Sequence, residues 1–246
     1  MGNMELTSLL AFLVVVCAVT VEANNNYCSL CKDHTLCKYP QFGPNCNARK
    51  ASGVDEASQK VIVDVHNKLR STVANGKENR GKPGPQPPAS NMRALTWDSE
   101  LASIAQRWAN QCDFGHDKCR NVQRFKVGQN VFMSFSSGSN QNYSPEWENA
   151  INGWYNEVDK YNKNEVQSYK FNSQTGHYTQ VVWADTSKVG CGYTAFRSAN
   201  GGTVNKYYVC NYGKAGNWIG ETMYKKGKAC SMCPNGTSCN AHGLCK

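Results

Sequence analysis

The chain has 246 residues, with 27 Lys and Arg against 18 Asp and Glu, and 13 cysteines. This length suits one main domain that buries a real core, so cysteines would stiffen a fold that already stands on apolar burial. The basic balance fits a soluble basic surface or an anionic partner such as a glycan, an acidic protein or a membrane surface, and the absence of any nucleic-acid motif excludes DNA and RNA.

Leu9 to Val19 is an apolar run without charge, too short to span a bilayer. Val21-Glu22-Ala23 follows with small residues at the positions a signal peptidase reads, so residues 1–23 are expected to be a cleaved signal, although Glu5 stands in a region usually rich in Lys or Arg. Cleavage removes Glu5, Glu22 and Cys17, leaving 27 basic against 16 acidic residues, a formal charge of +11 and 12 cysteines. An even count in a secreted, extracellular chain reads as six disulfides and no free thiol. No later stretch reads as a transmembrane segment. A cysteine-rich segment at 24–50 holds Cys28, Cys31, Cys37 and Cys46. A central body follows at 51–224. Lys225-Lys226-Gly227-Lys228 then opens a basic tail at 225–246 with Cys230, Cys233, Cys239 and Cys245.

Within the body, Val61, Val65 and Leu69 recur every four residues, which predicts a helix from Ser58 to Val73. Arg80 to Asn91 is too rich in Pro and Gly for either regular element and reads as an extended surface segment. Asp98 can cap a second helix with Leu101, Ile104, Trp108 and Cys112 on one face. Ser144-Pro145 reads as the start of a third, followed by a core stripe of Trp147, Ile151, Trp154, Val158 and Tyr161. The pattern then turns β-rich. Tyr178 to Trp183, Val189 to Phe196 and Lys206 to Tyr212 are expected as strands, the last two joined by a turn at Asn200-Gly201-Gly202. Cys191 and Cys210 would face each other on neighbouring strands. Helices on an antiparallel sheet give an α+β fold.

Four ordered motifs narrow this class. They are His66-Asn67-Lys68-Leu69-Arg70, Gly128-Gln129-Asn130-Val131, Gly176-His177-Tyr178-Thr179-Gln180-Val181-Val182-Trp183, and Tyr207-Tyr208-Val209-Cys210-Asn211-Tyr212 with Gly216-Asn217-Trp218. Together they resemble the CAP superfamily, the cysteine-rich secretory, antigen 5 and pathogenesis-related proteins. The stretch Gly81-Lys82-Pro83-Gly84-Pro85-Gln86-Pro87-Pro88-Ala89 and the N-terminal cysteines resemble antigen 5 of arthropod venom and saliva. The resemblance covers about Cys28 to Tyr224. It departs at Lys214, where the family usually has Pro, Ala, Arg or His, and in the tail, which antigen 5 of wasps lacks.

The resemblance implies a three-layer α-β-α sandwich with a cleft. His116 and His177 match its two cleft histidines, Glu157 matches one of two acidic positions, and Gln129 stands where many members have the other Glu. Two imidazoles can hold a Zn²⁺-like ion weakly, and no cofactor is required. With Gln129 neutral, Glu157 is available as either third ligand or base, but not both, which is poor equipment for hydrolysis. No Gly-x-Ser-x-Gly elbow, His-Glu-x-x-His helix or phosphate loop is present, so no catalytic residue is assigned. His66 reads as a structural, hydrogen-bonded residue, while His34 and His242 have no assigned partner.

By resemblance the pairs are Cys28–Cys37, Cys31–Cys119, Cys46–Cys112 and Cys191–Cys210. The tail cysteines allow three connectivities, and a stapled loop is preferred to a zinc knuckle or redox motif. Asn142 and Asn235 are glycosylation sequons, the first disfavoured by Pro145. The resemblance implies a non-enzymatic, allergenic protein that binds a host protein or lipid-like ligand. The alternatives are an ion-channel modulator and, less favoured, a metal-dependent peptidase. Integrin binding through Arg-Gly-Asp is excluded because that tripeptide is absent.

Overall fold

The structure is a computed structural model that describes residues 27–46, 48–137, 142–197 and 202–246. The expected signal, with Asn200 and Gly201 of the expected turn, lies outside the described residues.

In chain order the regular elements are α1 (Thr35–Lys38), β1 (Arg49–Ser52), α2 (Glu56–Ala74), β2 (Thr96–Trp97), α3 (Ser99–Ala109), β3 (Val127–Ser137), α4 (Trp147–Tyr155), α5 (Gly176–Val181), β4 (Lys188–Arg197) and β5 (Thr203–Gly213). Helix α2 starts where the Asp55 carboxylate accepts from Ser58 N at 2.8 Å. Its buried face is Ile62, His66, Arg70 and Val73, one residue on from the expected stripe, so Val61 is exposed and Val65 and Leu69 are half-buried. Hydrophobicity could not find this face because two of its members are polar. Helix α3 is capped as expected, with Asp98 accepting from Leu101 N at 3.0 Å.

Among the described residues the sheet has five strands, in the order β1-β4-β5-β3 with β2 parallel to β4. Strands β4 and β5 are antiparallel, and Cys191 stands directly opposite Cys210. Strand β3 pairs with β5 along its whole length, from Val127 opposite Gly213 to Ser137 opposite Thr203. The sequence motif at Gly128–Val131 marks only its start. Helix α3 covers one face and sits unusually close: a Cβ at Gly190 would lie 2.2 Å from Ala102 N, and one at Gly192 would lie 2.4 Å from Gln106 N. Gln106 uses this proximity, donating to Tyr193 O at 2.9 Å and accepting from Tyr193 N at 3.0 Å. Helices α2, α4 and α5 cover the other face around Ile62, Trp154, Tyr178 and Tyr212, completing an α-β-α sandwich.

Three expectations are corrected. Tyr178 to Trp183 is not a strand; Gly176–Val181 is helical. Tyr178, Thr179, Gln180, Val181 and Val182 are all buried, so an alternating pattern carried no information about facing. Helix α4 begins at Trp147 rather than at Ser144-Pro145. Ser144 N is held by Asn142 Oδ1 at 2.8 Å in a preceding turn, and Glu146 N donates to the Tyr208 hydroxyl at 2.9 Å. The core stripe then continues past α4 through a 3-10 turn, Asn156–Lys160, to buried Val158 and Tyr161. Arg80 to Asn91 is irregular, as expected, but Gln86, Ala89 and Ser90 are buried.

Disulfides join Cys28–Cys37, Cys46–Cys112, Cys191–Cys210, Cys230–Cys239 and Cys233–Cys245. The sixth expected pair differs: Cys31 and Cys119 are free thiols, hydrogen-bonded to each other, and burial pushes the Cys119 thiol up to about 11. Their approach follows from the backbone, because Thr35 N donates to Cys119 O at 2.9 Å and so fastens the N-terminal segment beside Cys119. The three clustered tail cysteines, Cys230, Cys233 and Cys245, are all taken up by bridges. The tail is docked: Cys245 N donates to Met92 O at 2.8 Å, Ala94 N donates to Cys245 O at 2.9 Å, and Leu244 is fully buried. The sequon residues Asn142 and Asn235 are both exposed.

Candidate functional site

The cleft is built by two short loops and two regular elements. His116 and Asp117 lie in the turn that follows α3, Gln129 and Asn130 on β3, Glu157 in the 3-10 turn after α4, and His177 at the start of α5. The four sequence-selected residues form two pairs. His116 Nδ1 donates to Gln129 Oε1 at 2.8 Å, and His177 Nδ1 donates to Glu157 Oε1 at 2.7 Å. Each ring thereby presents Nε2 as its lone-pair nitrogen, and neither Nε2 has a hydrogen-bond partner among the described residues. Removal of water, together with the neighbouring Arg120 charge, lowers the His116 pKa from the ordinary imidazole value.

Local structure fixes each pair. Glu157 Oε2 accepts from His177 N at 2.9 Å and from Tyr178 N at 3.2 Å, closing the first turn of α5. Trp154 stacks on the His177 ring with centroids 6.4 Å apart. Gln129 donates to Asp117 Oδ1 and to Asn211 Oδ1, each at 3.0 Å, which orients its carbonyl oxygen toward His116. Asp117 also receives hydrogen bonds from Thr35 Oγ1 and Arg120 Nε. The N-terminal segment therefore braces the cleft from beneath.

A second support runs into the core. Asn130 donates to His177 O at 3.1 Å and to the Tyr212 hydroxyl at 3.4 Å. That hydroxyl donates to His66 Nε2 at 2.9 Å, and His66 Nδ1 donates to Ile62 O at 2.8 Å. His66 is neutral in this chain, and burial pushes its pKa down to about 4. At the other end of α5, the buried Arg70 guanidinium donates to Val181 O and Trp183 O at 2.8 Å and to Thr186 O at 2.9 Å. It also reaches Arg93 O at 2.7 Å, so it ties α5 to the segment before β2 with no carboxylate partner among the described residues. His34, unassigned from sequence, donates through Nε2 to Asn121 O at 3.0 Å and accepts Leu36 N at Nδ1 at 3.1 Å, capping α1.

A family model described as the cysteine-rich secretory protein family, CAP, matches residues 63–212. The chain belongs to the CAP family. It is 49% identical to venom allergen 3 of Solenopsis invicta over 225 residues, spanning 85% of this chain and 94% of that one. It is 45% identical to venom allergen 5 of Dolichovespula arenaria over 207 residues, spanning 82% of this chain and all of that one. Among solved structures, that of NaASP2 with Zn2+ superposes with a TM-score of 0.65 at 34% identity, covering 79% of this chain and 97% of that one.

The CAP cleft here suits a metal in its donor chemistry, since two imidazoles each have Nδ1 anchored by an oxygen and Nε2 without a hydrogen-bond partner among the described residues. Its ligand count is low. Among the described residues, the only group of three or more candidate metal ligands is the tail cysteine set, so no third ligand gathers beside His116 and His177. Glu157 holds a ring and a helix start rather than facing the cleft as a free carboxylate. Sequence reasoning missed Asp117, Asn211 and the Asn130–Tyr212–His66 chain. Their roles come from partners more than 80 positions away in several cases, which no local pattern encodes.

Proposed function

We propose that this CAP chain is a secreted, non-enzymatic antigen 5-type protein of venom or saliva, allergenic in a host, whose cleft binds rather than hydrolyses. The observation that carries this reading is the double engagement of Glu157 with His177 Nδ1 and the α5 backbone. A hydrolase needs a group free to take up and return a proton, and a zinc hydrolase ordinarily holds its ion with three protein ligands. Here His116 and His177 would hold a zinc-like ion through Nε2, with Gln129 and Glu157 fixing the rings. The names of the ant and wasp relatives support the venom assignment.

The test is calorimetric titration of Zn²⁺ into the parent and into His116→Ala and His177→Ala variants. Weak binding that disappears in both variants supports the cleft as the metal site. Undiminished binding in the double variant places the ion elsewhere. A lipid-like ligand has a candidate seat in a groove of about 430 Å³ between the starts of α2 and α4, where Ala57, Val61, Pro145 and Trp147 share the lining with Ser58, Asn149 and the carboxylates of Asp55, Glu146 and Glu148. Mass spectrometry of organic extracts of the purified protein reads out its occupant.

A further inference from the structure

Sharing no lining residue with the histidine cleft, the docked tail and one face of α2 bound a groove of about 970 Å³. Its helix wall runs from Glu56 to Thr72 with residues recurring every three or four positions, a length of about 24 Å at 1.5 Å per residue. Its floor is residues Ala94 to Trp97, and its far wall is Asn240, His242 and Lys246 of the tail. Both walls are fixed. Asn67 grips the floor by donating to Leu95 O at 3.0 Å and accepting Leu95 N at 2.7 Å. Ser71 Oγ and Asn75 Nδ2 donate to His242 O at 2.6 and 3.0 Å, locking the tail against α2.

The charge in this groove is unbalanced. Lys60, Lys68, Lys77 and Lys246 line it against Glu56 and Asp64. Asp64 is already paired with Lys60. Lys68, Lys77 and Lys246 are exposed and have no ion-pair partner among the described residues. The rest of the lining mixes hydroxyl and amide groups, among them Ser71, Thr72, Thr96 and Asn240, with apolar Val63, Ala94 and Leu95, and Trp97 is half-buried there.

We propose that this tail-walled groove binds a linear sulfated polysaccharide. A linear polyanion can meet unpaired Lys68 on α2, Lys77 just past its end and Lys246 on the facing wall, and sugar hydroxyls fit the amide and hydroxyl groups of the lining, while Trp97 can stack against a sugar ring. A flat membrane cannot enter a concave groove between two walls. An acidic peptide offers carboxylates but few hydroxyls for the amide and hydroxyl groups of the lining, and the polyglutamate comparison below tests it. The fixed walls keep the ordering cost of binding low. The site is independent of the metal cleft and of the antigen 5 reading.

The experiment measures binding of the full mature protein to immobilised heparin at low and at physiological ionic strength, about 0.15 M. Two charge-reversed variants are compared: Lys68→Glu with Lys246→Glu, one from each wall, and Lys225→Glu with Lys226→Glu and Lys228→Glu, outside the groove. All five lysines are exposed, so thermal melting is expected to match the parent in both. The groove variant should lose at least about tenfold in affinity, with the salt dependence flattened, while the outside variant loses less. An unsulfated chain of the same backbone should bind weakly. Equal loss in both variants, or a larger loss outside, overturns the site. Binding to phosphatidylglycerol vesicles or to polyglutamate as tight as to heparin overturns the choice of ligand.

Discussion

Glu157 holds His177 at two points, taking the ring Nδ1 proton at 2.7 Å on one oxygen and the backbone N–H at 2.9 Å on the other. The carboxylate is therefore a positioning group for the ring and an acceptor for the first turn of α5. Glu157→Ala is expected to weaken Zn²⁺ binding about 10–100-fold, the usual effect of removing the oxygen partner of a ligating imidazole. His177→Ala should abolish binding. Calorimetry on the two variants separates the roles, and total loss in Glu157→Ala would make the carboxylate a ligand instead.

The motifs were legible because they are local strings; two of them contain Gln129 and His177, and the resemblance they carry located His116 and Glu157. What holds those residues was not. Arg70 sits in a motif, but its carbonyl partners lie between Arg93 and Thr186, and only the folded chain brings them together. Tyr178 to Trp183 reads as a strand because it is rich in β-formers, yet Gly176–Val181 is helical. Complete burial removed the facing signal, and the Glu157 carboxylate at one end and Arg70 at the other stabilise the helix instead. The strand β3 escaped notice for a related reason. Its outer part carries Ser134, Phe135 and Ser136 with Phe135 exposed, so no apolar alternation announced it.

Arg70→Met tests that anchor. The substitution keeps the apolar stem but strands several buried carbonyl oxygens, so stability should fall by about 3–5 kcal/mol. Urea unfolding measures it. A loss within about 0.5 kcal/mol, typical of a surface site, would show that water or rearrangement satisfies those carbonyls.

His66 makes the protein acid-sensitive. Its folded pKa is depressed to about 4 from an ordinary 6.5, because burial disfavours the charged ring. The unfolded chain therefore binds the proton more readily in between. The stability contribution is intact above pH 6.5 and lost progressively as pH falls toward 4, by about 3 kcal/mol in total. His34, also lowered by burial, acts in the same direction. Unfolding free energies across this range should fall for the parent and fall less steeply for His66→Gln. Parallel curves would remove His66 as a source of the sensitivity.

Cys31 and Cys119 are thiols in mutual contact. In an oxidising secretion the pair is expected to close, giving the sixth bridge and tying the N-terminal segment to the loop beside Asp117, with about 2–4 kcal/mol of added stability. Thiol titration of the unreduced, denatured mature protein should then find none. Two reactive thiols per chain would show that the contact stays reduced.

The binding reading of the cleft meets its most direct test in a peptide library incubated with highly purified parent protein and with the Glu157→Gln variant. The substitution preserves size but removes the carboxylate that any cleft hydrolysis would need. No cleavage by either protein, or equal trace cleavage by both, is the expected result. Cleavage by the parent that disappears in Glu157→Gln would contradict it and make the cleft an active site.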